Sequence, residues 1–221
     1  MKKTSLILLF LAFATTTFAQ VEIGIKLSPS VAHNRITASD NAPYTLENSG
    51  SNLRFGIGLV ADYFFGENYA FGTGLMFNTK GGKVEYTYTT PDTVLTTVEE
   101  SLNIHYLELP ITLKLYTNDI ATDTKLYFQL GGALNTRISA QVDNKKTIDN
   151  TRVTKRFNLF EVETLIGAGA EMQMGQNTKV FGGLSYHRGL TDVDKHYEKL
   201  LNDESIAVKN GSIALDLGLK F

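Results

Sequence analysis

The chain has 221 residues, with 21 Lys and Arg against 23 Asp and Glu, 43% hydrophobic residues and no cysteine. A net charge of −2 gives no electrostatic basis for binding nucleic acid, and the lack of thiols excludes a disulfide framework or a thiolate metal site. Beyond the amino-terminal segment no stretch is long and apolar enough for a transmembrane helix, so a membrane-spanning form has to be a closed barrel, which also satisfies every backbone polar group in lipid.

The first element is an export signal. Lys2 and Lys3 precede an apolar run from Leu6 to Ala14, and Thr17 and Ala19 are the small residues a signal peptidase inspects. Cleavage after Ala19 is expected, which assigns 1–19 to the signal peptide and 20–221 to one mature domain. The run is shorter than the roughly 20 apolar residues a membrane span needs. Gln20, where a lipoprotein has Cys, excludes lipid attachment there. Loss of Lys2 and Lys3 leaves 19 basic against 23 acidic residues, a net charge of −4.

Period-2 alternation then predicts eight strands: Val21–Ala32, Leu53–Phe65, Tyr69–Thr87, Val98–Tyr116, Lys125–Val142, Phe157–Met174, Thr178–Leu190 and Ser212–Phe221. In Leu53–Phe65 the odd positions are Leu53, Phe55, Ile57, Leu59, Ala61 and Tyr63. The even positions carry Arg54, Gly56, Gly58, Val60 and Asp62. Between Leu107 and Leu115 every odd residue is Leu or Ile, against Glu108, Pro110, Thr112 and Lys114.

A soluble barrel shows the same period with its apolar face inside. Three features put the apolar face outside here. The opposite face combines glycines (Gly24, Gly56, Gly72, Gly131, Gly167 among them) with charges of both signs, which suits a narrow polar lumen. Short links at 66–68, 118–124 and 175–177 alternate with long polar ones at 33–52, 88–97, 143–156 and 191–211, as expected when one end faces the periplasm and the other the exterior. Aromatic residues gather beside the short turns: Tyr63, Phe64, Phe65, Tyr69, Phe71, Tyr116, Tyr127, Phe128, Phe181 and Phe221 are expected to form one interfacial girdle. Tyr86, Tyr106, Phe157, Phe160 and Tyr186 are expected to contribute to the other. The expected fold is an all-β, eight-stranded antiparallel up-and-down transmembrane barrel in a bacterial outer membrane, with both termini periplasmic and lipid and lipopolysaccharide as its surroundings.

With Tyr106-Leu107-Glu108-Leu109-Pro110-Ile111, Gly167-Ala168-Gly169-Ala170-Glu171, Tyr186 followed by Gly189-Leu190-Thr191-Asp192, and a terminal Phe221, the mature chain resembles the PorT-like, porin-family outer-membrane barrels of Bacteroidetes. Asp216 stands where the stricter insertion pattern has Gly. The resemblance implies a non-enzymatic structural component or a helper in secretion of proteins to the cell surface.

An eight-stranded barrel is just wide enough to be filled by side chains, and buried charges there must pair. Arg54, Asp62, Glu108, Lys114, Arg137, Glu161, Glu163, Glu171 and His187, with Glu22, Lys26 and Lys220, are the expected lumen network. Ser185 and His187 share a strand face near Asp192 and Asp194, but shared facing is weak support for a triad, so no catalytic residue is assigned. His33, His105 and His196 lack metal-ligand spacing, and the Gly pairs lack the third glycine of a dinucleotide fingerprint, so neither metal nor cofactor is expected.

The segment Lys83–Glu100, rich in Thr, Val and Tyr around Pro91-Asp92, exceeds the length a membrane strand needs and is expected to project as a hairpin. An exposed hairpin edge recruits partners by strand addition, which makes Tyr86, Tyr88, Val94 and Thr96 candidate partner-binding residues. A surface binding module is therefore the alternative function, with a protein partner at this hairpin. The basic-leaning loop 143–156 is a second surface feature, suited to polysaccharide or to simple solvation.

Overall fold

The computed structural model describes residues 21–39, 43–89, 95–148 and 150–221. The expected signal peptide and its cleavage point lie outside the described residues. Among the described residues there are twelve strands: β1 (Val21–Thr37), β2 (Thr45–Gly50), β3 (Asn52–Gly66), β4 (Tyr69–Lys80), β5 (Lys83–Thr89), β6 (Leu95–Tyr116), β7 (Thr124–Val142), β8 (Thr147–Ile148), β9 (Thr151–Arg152), β10 (Phe160–Gln173), β11 (Lys179–Gly189) and β12 (Ala207–Lys220). A 3-10 turn at Val153–Arg156 and a short helix at His196–Leu201 complete the set.

Eight of the strands close a ring in the order β1-β3-β4-β6-β7-β10-β11-β12 and back to β1, every neighbour antiparallel. This is the up-and-down barrel the alternation predicts. Its outward face is apolar: Ile57, Leu109, Leu130 and Leu217 are 44%, 42%, 63% and 44% exposed. An apolar band all round a closed barrel is a lipid-facing surface, because water would not tolerate it. The inward face carries Lys26, Asp62, Glu108, Lys114, Glu161, Glu163, Glu171 and Lys220, all buried.

The girdle at the turn end keeps Tyr63, Phe65, Tyr69, Phe71, Phe128 and Phe221. Four expected members turn inward instead. Tyr116, Tyr127 and Phe181 are buried and Phe64 packs against them. Space for these rings comes from glycine: a Cβ at Gly183 would lie 2.4 Å from the Tyr127 hydroxyl, and one at Gly218 would lie 2.4 Å from the Phe181 ring. Of the aromatics assigned to the opposite girdle, Tyr86, Tyr106 and Phe157 are buried, which leaves Phe160 exposed and Tyr186 half-buried.

At the end away from the short turns the loops fold into a cap. The expected strand Tyr69–Thr87 breaks at Gly81-Gly82, where Gly81 has φ +106° and a Cβ would lie 2.5 Å from the Leu102 carbonyl oxygen. After the break β5 leaves the ring and pairs with β2 on one edge and with the outer part of β6 on the other. The hairpin does rise beyond the barrel, but β2, drawn from the loop expected at 33–52, covers the β5 edge. Leu46, Val84, Tyr86, Leu102, Ile104, Val142, Val153, Phe157, Val193, Tyr197, Ile206 and Val208 form a hydrophobic core under this sheet. Burial from water stabilises such side chains by about 1.5–3 kcal/mol each. Polarity therefore inverts along one molecule. The barrel is polar within and apolar without, whereas the cap is apolar within.

Candidate functional site: the ionic lumen and the capped end

Alternation places every second residue of each ring strand in the lumen, where charges from facing strands meet in layers. Nearest the turns, Asp62 on β3 receives Lys114 of β6 at 2.8 Å and Lys220 of β12 at 2.6 Å. Lys220 also pairs with Glu171 of β10, and Lys179 of β11 pairs with Glu22 and lies 3.3 Å from Glu171. The Tyr116 hydroxyl lies 3.3 Å from Asp62 Oδ2 and 3.4 Å from Glu171 Oε2, so the ring that the sequence assigns to the interfacial girdle shares its one O–H between two carboxylates. Asp216, the departure from the insertion pattern, accepts from Ser28 Oγ at 2.6 Å and faces Lys26 Nζ at 3.4 Å. Its carboxylate belongs to the lumen network.

Toward the cap, Lys80 Nζ is the hub. It lies 2.7 Å from Glu163, 3.2 Å from Glu108 and 3.0 Å from Asn135 Oδ1. Asn78 Nδ2 donates to Glu108 at 2.6 Å, and Asn210 Nδ2 donates to Glu161 at 2.9 Å. Ligand atoms of Glu108, Glu163 and His187 fall within 4.8 Å of one another, a donor set that would fit a metal ion, but the Lys80 ammonium already sits against both carboxylates and supplies the cation.

Seven of the nine residues expected in the polar network (Asp62, Glu108, Lys114, Glu161, Glu163, Glu171 and His187) are brought together in this lumen. Arg54 and Arg137 are not. Arg54 donates to the carbonyls of Gly81 and Leu102, and Arg137 to the carbonyl of Asn158, so both clamp backbone where the ring meets the cap. Lys80 escapes the sequence reading, although it holds the inward parity of Gly72, Gly74, Met76 and Asn78 on one strand.

His187 Nδ1 lies 3.0 Å from Glu163 Oε1, and its Nε2 lies 3.2 Å from Ser185 Oγ. The acid beside the histidine is thus Glu163 and neither Asp192 nor Asp194. A Ser–His–carboxylate chain is the arrangement that activates a nucleophile. Here Ser185 is 2% exposed, and two lumen cavities measure about 30 and 20 Å³, room for about one water each. The lumen packing thus encloses the Ser185 hydroxyl.

In the cap, Arg156 is the organising charge. It pairs with Asp194 at 2.7 Å and Glu100 at 2.8 Å, and its guanidinium lies 4.6 Å from the centre of the Tyr197 ring. Tyr197 donates to Glu100 at 2.9 Å. Burial pushes the Asp194 carboxyl up to about 6, against the opposing pull of Arg156. Asp192 accepts from the Val208 amide at 2.7 Å. Tyr86 faces into the cap core with Tyr197 at 5.5 Å between ring centres, and Tyr88 stacks on it at 5.9 Å. Thr96 sits opposite Tyr88 across the β5–β6 ladder, and Val94 lies outside the described residues. Beside Arg156 a cavity of about 390 Å³ opens between the 3-10 turn and the short helix.

The neisserial surface protein NspA matches at 13% identity over 91% of this chain and 97% of its own, with a TM-score of 0.52. Ail, the attachment invasion locus protein of Yersinia pestis, matches at 14% identity over 91% and 99%, TM-score 0.44. OprG of Pseudomonas aeruginosa matches at 11% identity over 91% and 97%, TM-score 0.47. At 13% identity the likeness to NspA speaks to fold alone. No curated protein matches the sequence. The family pattern described as outer membrane protein beta-barrel domain spans residues 18–195, and with a closed ring, an apolar outer band and a charged lumen the chain belongs to that family of bacterial outer-membrane barrels.

Proposed function

We propose that this protein is a non-enzymatic, non-conducting outer-membrane barrel that anchors a folded recognition cap on the cell surface. Both termini and the short turns then face the periplasm, and the cap stands outside. The cap's own hydrophobic core carries this reading, because a barrel with a purely structural role in the membrane has no need of one. The side-chain packing of the lumen supports the absence of transport and of hydrolysis. In this reading, recognition uses the outer surface of the cap and the free edges of β2 and outer β6, with Tyr86 and Tyr88 setting the shape of the sheet from within.

The PorT-like resemblance favours a second reading, a structural or secretion-helper component acting with secretion machinery. The two separate in a deletion strain complemented with either the wild type or Tyr197→Ala, which loosens the cap and leaves the ring strands unchanged. Surface binding lost in both the deletion and the Tyr197→Ala strain, with an unchanged secretome, supports the recognition cap. Loss of a defined set of exported proteins that Tyr197→Ala restores in full supports the helper instead.

A further inference from the structure

The cavity beside Arg156 concentrates positive charge in a chain whose mature form is net negative. Arg152, Lys155, Lys195 and Lys199 line it, all exposed, and none forms an ion pair with a described residue. Among the described residues the single carboxylate on its wall is Glu100, which Arg156 and Tyr197 already engage. Like charges gathered round one concavity repel, and that cost is offset when an anion occupies it.

The floor is fixed, not fluid. Arg156 is held from behind by Asp194 and by the Tyr197 ring, and its Nη2 meets Glu100 at 2.8 Å without the alignment of a full hydrogen bond. Arg156 also lines the cavity, so its guanidinium adds a fixed positive charge to that wall. Ile148, 39% exposed, and Val153 add an apolar side suited to the face of a sugar ring. Among the described residues no Phe, Tyr or Trp lines the cavity. At about 390 Å³ it falls in the range of small-molecule sites, about 300–1,000 Å³.

From this geometry we infer that the cavity between the 3-10 turn and the short helix binds a carbohydrate carrying phosphate or sulfate esters, with Arg152, Lys155, Lys195 and Lys199 as charge partners around the fixed guanidinium of Arg156. The inference rests on the outward-facing recognition cap proposed above and names its ligand class. Arg and Lys suit such esters because charge-assisted hydrogen bonds to them are about twice as strong as neutral ones.

The test uses the full protein in phosphatidylcholine nanodiscs, titrated with dextran sulfate and with neutral dextran. The wild type is expected to bind the sulfated polymer alone, more weakly as salt rises and screening sets in. The variant Arg152→Ala/Lys155→Ala/Lys195→Ala/Lys199→Ala is expected to lose at least about tenfold in affinity. Lys145→Ala/Lys146→Ala, which removes charge from the same loop but not from the cavity, is expected to stay within about twofold, since exposed charges off the site contribute little. If the fourfold variant does not fold, the exposed pair Lys155→Glu/Lys199→Glu tests the same site. A second arm distinguishes the sources. Phosphorylated lipopolysaccharide in the nanodisc that displaces dextran sulfate, where dephosphorylated lipopolysaccharide does not, identifies the cell's own leaflet as donor of the ester. Absence of that competition identifies an external glycan. Equal weakening by the control pair, or wild type that binds neither dextran sulfate nor phosphorylated lipopolysaccharide, overturns the inference. Cells displaying the fourfold variant that retain the surface binding lost with Tyr197→Ala would refute this site while leaving the recognition cap standing.

Discussion

Lys80 holds Glu163, Glu108 and the Asn135 side chain at once, inside a lumen that leaves room for little water. Removing one partner of a buried ion pair costs about 3–5 kcal/mol, because the remaining charge has neither water nor counter-ion. Lys80→Met is therefore expected to destabilise the folded barrel by about that amount in urea unfolding from micelles, and Glu163→Gln added to it should recover part of the loss. An unchanged unfolding midpoint would mean that these carboxyls do not depend on the ammonium. Asp194, in the cap, supplies a pH test. With its carboxyl raised to about 6, the folded chain keeps a proton that an unfolded chain releases from about pH 4 upward, so its contribution favours the folded cap on the acid side and is lost as pH rises through about 6. A carboxyl carbon titration of Asp194 should show that midpoint, and Asp194→Asn should remove the matching slope from the pH dependence of cap amide exchange; a midpoint below about 4 would show that burial does not govern this group. Much of the lumen is legible residue by residue, because charges on the inward parity of a strand have nowhere else to go. Tyr116 and Tyr127 are not, since a tyrosine suits a membrane interface and a polar lumen equally, and only the neighbouring glycines and carboxylates decide.

Among elements, β3 and β6 give the sharpest test of facing. Ile57 lies on the outer face at 44% exposure, so Ile57→Arg is expected to cost about 2–4 kcal/mol near the membrane midplane, measured as lost folding into bilayers. Glu108→Gln, on the lumen side, is expected to leave insertion intact. Equal insertion of Ile57→Arg and wild type would contradict the assigned facing. The ring strands were readable because lipid on one side and a charged lumen on the other impose strict period 2. The cap was not, because its core is assembled from residues such as Leu46, Val193, Tyr197 and Ile206, which are scattered over separate connections without a common period and meet only in three dimensions. The break at Gly81-Gly82 was visible as two glycines, yet the alternation continues across it with the same parity, so pattern alone gives one long strand where the structure has two. β2 had no apolar rhythm at all, and its pairing with β5 follows from edge hydrogen bonding rather than from side-chain pattern.

For the whole molecule, a lumen crossed by paired charges and by the Tyr116, Tyr127 and Phe181 rings should pass no large current, and the protein in planar bilayers is expected to show no stable open-channel conductance. Reproducible single-channel steps would show that this packing opens. Polarity inversion also bears on the seam where the first and last strands meet. At the turn end β1 and the carboxy-terminal residue exchange backbone hydrogen bonds, Ile23 with Phe221, at 3.2 and 2.8 Å. At the other end Ile36 of β1 and Val208 of β12, cross-strand partners, both pack into the cap core. Parting the two strands there would expose that core to water, so the cap works as a clasp on the barrel's closure. A barrel fastened in this way is expected to keep hydrophobic molecules of the surrounding leaflet from entering between its first and last strands.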